Sequence, residues 1–229
     1  MITKLEEINS LVETMRLEAQ GEFMLLYDLE AHALRMLKSA LELGFKLKAK
    51  PEEFVLLFYN QIKNKIQYQF HKQLGLLNDD INNNAKEIYK LRFIMHRSGM
   101  LKIDIEEYKR DLKKAWKVKI LDEKEFHIES SNPIWQHKFL PRPEFSKYFE
   151  QGYNEVIWRD ENGNICEGSF TAIIFDNNKS PKANTLPSIS LSKISNLKFV
   201  ETKGLEKDFI LTNSLIGKKK ISHDHLVLS

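Results

Sequence analysis

The sequence predicts an α+β fold in two subdomains, residues 1–130 and 131–229. Three observations carry this. A run of apolar residues at helical spacing follows Asp28, segments alternating at period two recur at 87–105 and 155–175, and hydrophobic patterning changes across the turn formers of Ser130 to Pro133. With 229 residues, 42% hydrophobic and 29% charged, the composition is that of a globular chain and excludes disorder, collagen and coiled coil. No apolar run approaches the roughly 18 to 20 residues needed to span a bilayer, and the first twenty residues lack the pattern of a secretory leader. The chain therefore reads as cytoplasmic, with no membrane partner. Its single cysteine, Cys166, precludes an internal disulfide, and no Cys and His spacing suits a metal. Thirty-five basic against 32 acidic side chains leave +3, too weak a field to imply nucleic acid.

Leu11 to Arg16 and Glu22 to Leu26 read as short strands broken at Gly21. Asp28 is placed to cap a helix whose period runs through Leu29, Ala33, Leu34, Met36, Leu37, Ala40 and Leu41, with Gly44 as its C-terminal glycine. Pro51 opens a second helix through Phe54, Leu57, Phe58 and Ile62, running on toward the turn-rich stretch at 77–84, where Asn82 to Asn84 mark an exposed loop. Glu87 to Met95 and Leu101 to Ile105 form a hairpin about Ser98-Gly99, and Lys117 to Leu121 adds a strand. Pro143 to Tyr153 reads as a short helix. Glu155 to Trp158 and Ile165 to Phe175 read as the arms of a hairpin turned at Asp160 to Asn164. Asn177 to Ser195, rich in Ser, Asn, Lys and Pro, is expected as a surface loop. Phe209 to Leu211 follows as a short strand, Thr212 to Gly217 as a polar turn, and Lys218 to Lys220 as a solvated basic edge.

Lys138 lies in the largely apolar and aromatic segment Trp135-Gln136-His137-Lys138-Phe139-Leu140, where a desolvated amine loses proton affinity and becomes a nucleophile toward carbonyl carbon. Glu167, in mid-hairpin, is a carboxylate in want of a cationic or proton-sharing partner, and a pyridinium nitrogen is one such group. Arg35 on the first helix and the turn Thr212-Asn213-Ser214 carry donors suited to a phosphate. Each of these residues alone is also what an ordinary lysine stem, strand carboxylate, salt-bridge arginine or turn would look like.

Taken in order, Glu13-Thr14-Met15-Arg16, His32 with Arg35 and Ser39-Ala40, His137-Lys138 with Arg142, Asn162-Gly163-Asn164-Ile165-Cys166-Glu167-Gly168-Ser169 and Thr212-Asn213-Ser214-Leu215 resemble the class IV aminotransferase family. Within those fold-type IV enzymes, which are D-amino acid aminotransferase-like, the likeness is nearest to 4-amino-4-deoxychorismate lyase. The resemblance implies pyridoxal 5'-phosphate as cofactor and a homodimer. It makes Lys138 the Schiff-base lysine and proton carrier, Glu167 the acid on the pyridine nitrogen, Arg35 a phosphate ligand, and Thr212 and Ser214 holders of phosphate or substrate carboxylate. It further implies conversion of 4-amino-4-deoxychorismate to 4-aminobenzoate and pyruvate in folate biosynthesis. Alternatives are a branched-chain or D-amino acid aminotransferase and a relative that keeps the fold without catalysis. Pro143 stands where the family's transaminases usually carry an aromatic residue, which favours a lyase. The family's Gly-rich loop and phosphate-binding helix are not recognisable in 177–207, so the C-terminal part reads as shortened, and its usual asparagine after the glutamate is replaced near Thr171-Ala172.

Overall fold

A computed structural model describes residues 5–78, 87–109, 115–122, 124, 127–129, 132–140, 143–175, 179–181, 188–205, 208–213, 215–222 and 226–228. The expected Asn82 to Asn84 loop, and Arg142 and Ser214, lie outside them. The chain divides into two compact units, Ile2–Arg110 with Lys138–Pro141, and Asp111–His137 with Arg142–Ser229. The pattern change near residue 130 therefore falls inside the second unit, and a short piece beyond it returns to the first.

The first unit is built on β1 (Ser10–Gln20), which turns at Gly21 into β2 (Phe23–Tyr27). The helices α1 (Leu29–Glu42) and α2 (Phe54–Phe70) then lead to β3 (Gln73–Leu77), which lies parallel to β2. β4 (Ile88–His96) pairs antiparallel with the other side of β1 and β5 (Leu101–Glu107) with β4, giving the order β3-β2-β1-β4-β5. β2 covers only residues 17–20 of β1. On that same side, β8 (Phe139–Leu140) adds to Ser10 and Leu11, and Val12 N–H donates to the Lys138 carbonyl at 2.9 Å. This pairing is why residues 138–141 belong to the first unit.

Leu11, Met15, Leu17, Leu91, Phe93 and Met95 are buried on the first unit's sheet, and α1 packs on β1. The Phe58 ring stacks on Phe93 at 3.9 Å. The buried face of α1 departs from the expected stripe: Leu34 and Leu41 are exposed, whereas His32 and Ser39 are buried beside Ala33, Met36 and Ala40. Asp28 occupies the N-cap position in the left-handed region (φ 56°) but its side chain makes no capping bond, a correction to the expected cap. Gly44 does close the helix, at φ +66°, as Phe45 N–H reaches the Ala40 carbonyl at 2.8 Å. The second helix stops at Phe70, where His71 turns left-handed (φ 54°), so the stretch expected to continue it forms β3 instead.

Gly99 sits at φ +85° in the expected Ser98-Gly99 turn, and a Cβ there would lie 2.7 Å from the Lys46 carbonyl oxygen. Gly99→Ala meets backbone on one side and a disfavoured φ on the other. It is expected to lower the unfolding free energy by about 1 to 3 kcal/mol, read from urea unfolding midpoints at unchanged slope.

In the second unit, β9 (Glu155–Asp160) and β10 (Ile165–Gly168) form the expected hairpin. Its turn is closed by Asp160 Oδ1, which accepts from the Asn162 and Asn164 amides at 2.9 and 2.8 Å. β6 (Val118–Ile120) lies parallel to β9, and β16 (Leu226–Leu228) parallel to β6; β7 (His127–Ile128) also pairs with β9. The returning strand expected to run unbroken to Phe175 is cut at Gly168. It resumes as β11 (Ala172–Ile174) in a different sheet, pairing with β14 (Asp208–Asn213) and through it with β15 (Gly217–Ser222).

Thr212 and Asn213 are thus strand residues and not part of a turn. Lys218 to Lys220 lie on the edge strand β15, where Lys220 pairs with Asp208 at 3.2 Å. The stretch expected as a surface loop carries regular elements among its described residues. β12 (Lys179–Pro181) pairs parallel with β13 (Lys198–Val200), and α4 (Ile189–Ser192), capped by the Ser188 hydroxyl, lies between them in sequence. The short helix α3 (Ser146–Glu150) follows a single 3-10 turn at Pro143–Phe145. Among the described residues, no helix is long and apolar enough to cross a membrane.

Candidate active site

In the first unit, strand alternation and helix spacing gather four chemistry-bearing side chains. Glu13 lies on β1 directly across from Phe93, on the strand α1 packs against, and is only 1% exposed. A carboxylate there must be paired. α1 supplies the partners from positions 32 and 35, one turn apart and therefore on one helix face. His32 Nδ1 and Glu13 Oε2 are 2.7 Å apart, Arg35 Nε donates to Oε1 at 2.8 Å, and Arg35 Nη2 donates to Oε2 at 2.5 Å. Lys138, half-buried and tied through its carbonyl to Val12, adds a positive charge acting on both Glu13 and His32.

Burial alone would push the Glu13 carboxyl up. The Arg35 charge, the bond to His32 and the Lys138 charge outweigh it and hold the group far below the usual carboxylate range. Burial is also the largest effect on His32 and lowers its pKa; bonding to Glu13 opposes this, and the Arg35 and Lys138 charges add to the lowering. A neutral His32 that gives its Nδ1 proton to Glu13 leaves Nε2 as an acceptor. That atom is buried and meets no hydrogen-bond partner among the described residues.

In the second unit Glu167 lies on β10, just before the break, and Thr212 and Asn213 lie on β14, the partner of β11 beyond it. Glu167 is half-buried on β10. Thr212 is 2% exposed and pairs with Ala172 across the sheet. Asn213 Nδ2 donates to the Phe170 carbonyl at 3.0 Å, and its Oδ1 accepts from the Leu215 and Ile216 amides, both at 2.8 Å.

The break itself is organised by Glu155, fully buried at the start of β9. Its carboxylate accepts from the Ser169 hydroxyl, from the Thr171 hydroxyl at 2.7 Å, from the Val156 amide at 2.9 Å and from the Phe170 amide at 3.3 Å. Gly168 is required by this packing, since a Cβ there would meet Thr171 Oγ1 at 2.5 Å and Glu155 Cδ at 2.8 Å. Burial pushes the Glu155 carboxyl up, and the bonds from Ser169, Thr171, Val156 and Phe170 oppose it without cancelling it. Cys166 beside Glu167 is inert, its thiol pushed well up by burial and by the charges of Asp160, Glu167 and Glu161.

Of the residues singled out from sequence, Lys138 and Arg35 lie in the first unit, where both charges act on Glu13, and Glu167, Thr212 and Asn213 lie in the second, on β10 and β14. Glu13, quoted within the motif but given no role, and Glu155 were not singled out from sequence. Each is a lone carboxylate in a strand, and the neighbouring residues that bury it come from elsewhere in the chain. Among the described residues no cluster could hold a metal ion.

No protein-family model and no curated protein matches the chain. Solved structures do match. The "Putative amino-acid aminotransferase from Mesorhizobium loti" superposes with a TM-score of 0.69 at 18% identity, over 96% of this chain and 99% of its own. The "Putative 4-amino-4-deoxychorismate lyase" of Legionella pneumophila gives 0.64 at 15%, over 93% and 82%. A T.th. branched-chain amino acid aminotransferase, solved with pyridoxamine 5'-phosphate, gives 0.66 at 11%, over 93% and 75%.

Proposed function

On the premise that this chain has the fold-type IV fold of the class IV aminotransferases and 4-amino-4-deoxychorismate lyases, we propose that it is a pyridoxal-phosphate-dependent lyase. It converts 4-amino-4-deoxychorismate to 4-aminobenzoate and pyruvate in folate biosynthesis, as a cytoplasmic homodimer. The observation that carries this is Lys138, half-buried in a fold of this kind, with its positive charge acting on the buried Glu13 and His32.

The chemistry of each assigned side chain suits its part: Lys138 would offer the amine that condenses with an aldehyde, and Glu167 would offer a carboxylate for a ring nitrogen. Arg35, Thr212, Asn213 and Ser214 are the residues assigned to the phosphate side, with Arg35 also held by Glu13. When bound, pyridoxal phosphate supplies an electron-withdrawing ring that stabilises negative charge on the substrate carbon. Lys138 Nζ would be the amine that anchors the cofactor and, once freed, the neutral base that takes the substrate's alpha proton.

The fold is shared with branched-chain aminotransferases, which favours amino transfer as the second reading. Incubation with pyridoxal phosphate, followed by assay of pyruvate release from 4-amino-4-deoxychorismate beside amino transfer to 2-oxoglutarate, separates the two. Pyruvate without transfer is the expected result. Transfer without pyruvate selects the second reading, and a sample that stays colourless rejects both. Glu167→Ala is expected to retain the cofactor's visible absorbance while kcat falls about 100-fold or more, since it removes the acid that steadies charge on the ring and leaves the covalent anchor.

A further inference from the structure

We propose that Glu155 is a positioning residue: by gathering the chain at the break after Gly168, it ties the end of β10, which carries Glu167, to the end of β14, which carries Thr212 and Asn213. The inference rests on the function proposed above, because those three residues are the ones assigned there to the cofactor's ring nitrogen and phosphate.

Hydrogen bonds make the connection at each step. The Glu155 carboxylate, fully buried at the start of β9, accepts from the Ser169 hydroxyl, from the Phe170 amide at 3.3 Å and from the Thr171 hydroxyl at 2.7 Å. Three consecutive residues thus converge on one side chain. The Gly168 amide closes their turn on the Thr171 carbonyl at 2.8 Å, and the Ser169 amide fixes it to β9 a second time through the Val156 carbonyl, also at 2.8 Å. Gly168 directly follows Glu167, and the lack of a Cβ there is what lets the carboxylate approach. From the other side, Asn213 Nδ2 donates to the Phe170 carbonyl at 3.0 Å, and Thr212 pairs with Ala172. Phe170 is therefore gripped twice, by Glu155 at its amide and by Asn213 at its carbonyl. Asn213 passes the constraint on, since its Oδ1 accepts from the Leu215 and Ile216 amides at 2.8 Å. Among the described residues, the partners of Glu155 are hydroxyls and amides with no cation, so what the group sets is the path of the chain.

The first readout needs no cofactor. The full chain as wild type, Glu155→Ala, Glu155→Gln and Ile221→Ala is compared by backbone amide hydrogen exchange in NMR, under conditions where each is folded. Ile221, buried on β15 opposite Phe209, is a core truncation in the same unit away from the turn, and measures destabilisation alone. Glu155→Ala is expected to speed exchange of the Leu215 and Ile216 amides about tenfold or more beyond Ile221→Ala. Glu155→Gln keeps one accepting oxygen and turns its amide to the Thr171 hydroxyl, which can accept in turn, so it should restore most of the protection. Exchange in Glu155→Ala no faster than in Ile221→Ala overturns the proposal, as does a Glu155→Gln protein that exchanges as fast as Glu155→Ala.

The second readout is the Kd for pyridoxal phosphate from visible absorbance. It is expected to rise about tenfold in Glu155→Ala and to stay at the wild-type value in Ile221→Ala, whereas a purely structural role would move the two alike. If Glu155→Ala fails to fold, the Ser169→Ala/Thr171→Val double variant, which leaves the carboxylate and its amide donors, replaces it and must meet the same two comparisons. A wild-type protein that takes up no pyridoxal phosphate ends the lyase reading, and the exchange rates still decide this inference. Normal uptake with unchanged exchange at Leu215 and Ile216 ends this inference alone.

Discussion

The Lys138→Ala protein is expected to fold normally, to show no visible absorbance after incubation with pyridoxal phosphate, and to release no pyruvate. Removing a half-buried lysine side chain leaves no large cavity, and Glu13 keeps its two bonds from Arg35 and its contact with His32. The unfolding free energy is therefore expected to change by no more than about 1 kcal/mol. Function is lost completely for a different reason. In the proposed mechanism one nitrogen would both hold the cofactor and move the proton, and alanine can do neither. Borohydride reduction of the wild-type protein with pyridoxal phosphate, followed by peptide mapping, should place the label on Lys138 and find none in the variant. Turnover by Lys138→Ala at more than about a thousandth of the wild-type rate would remove this amine from the mechanism.

How far such residues could be read in advance depended on whether their environment is local in sequence. Lys138 stood out because its aromatic and apolar neighbours are adjacent in the chain, and its half-buried position follows from the same local setting. The first helix was legible for the same reason, since its period and Gly44 are local signals. The orientation of that helix was not. His32 and Ser39 are buried and Leu34 and Leu41 exposed because Glu13, on another element, draws His32 and Arg35 inward. β3 was hidden by a left-handed His71, a residue type that gives no warning of a helix end. The break at Gly168 was hidden because the carboxylate that shapes it, Glu155, comes from a strand 13 positions earlier. The change of patterning near residue 130 falls inside the second unit, and the return of Phe139 and Leu140 to β1 depends on a pairing across more than 120 residues.

The second large effect is expected at that break. Glu155→Ala leaves the Ser169 and Thr171 hydroxyls and the Phe170 amide without their acceptor in a buried site. Unsatisfied buried donors cost about 1 to 3 kcal/mol each, so the variant should lose about 3 kcal/mol or more of unfolding free energy, measured by urea titration. Thr212 and Asn213 reach the same turn, Thr212 opposite Ala172 and Asn213 through the Phe170 carbonyl, so loosening it disturbs that end of β14 as well as Glu167.

Acidity separates this carboxylate from Glu13. Glu13 is held low when folded, so its stabilising contribution is present above the usual glutamate range and vanishes only in strong acid. Glu155 is raised when folded: the folded protein binds a proton that the unfolded chain has already released, so its contribution is largest in acid and declines as pH rises through the folded value. Glu155→Gln imitates the protonated form and cannot titrate. Its stability relative to wild type should therefore rise from about pH 4 upward until the wild-type carboxyl is fully ionised, and then level off. A difference that stays flat across that range would show that the four donors hold Glu155 ionised throughout, and the turn would then owe its shape to a permanent charge.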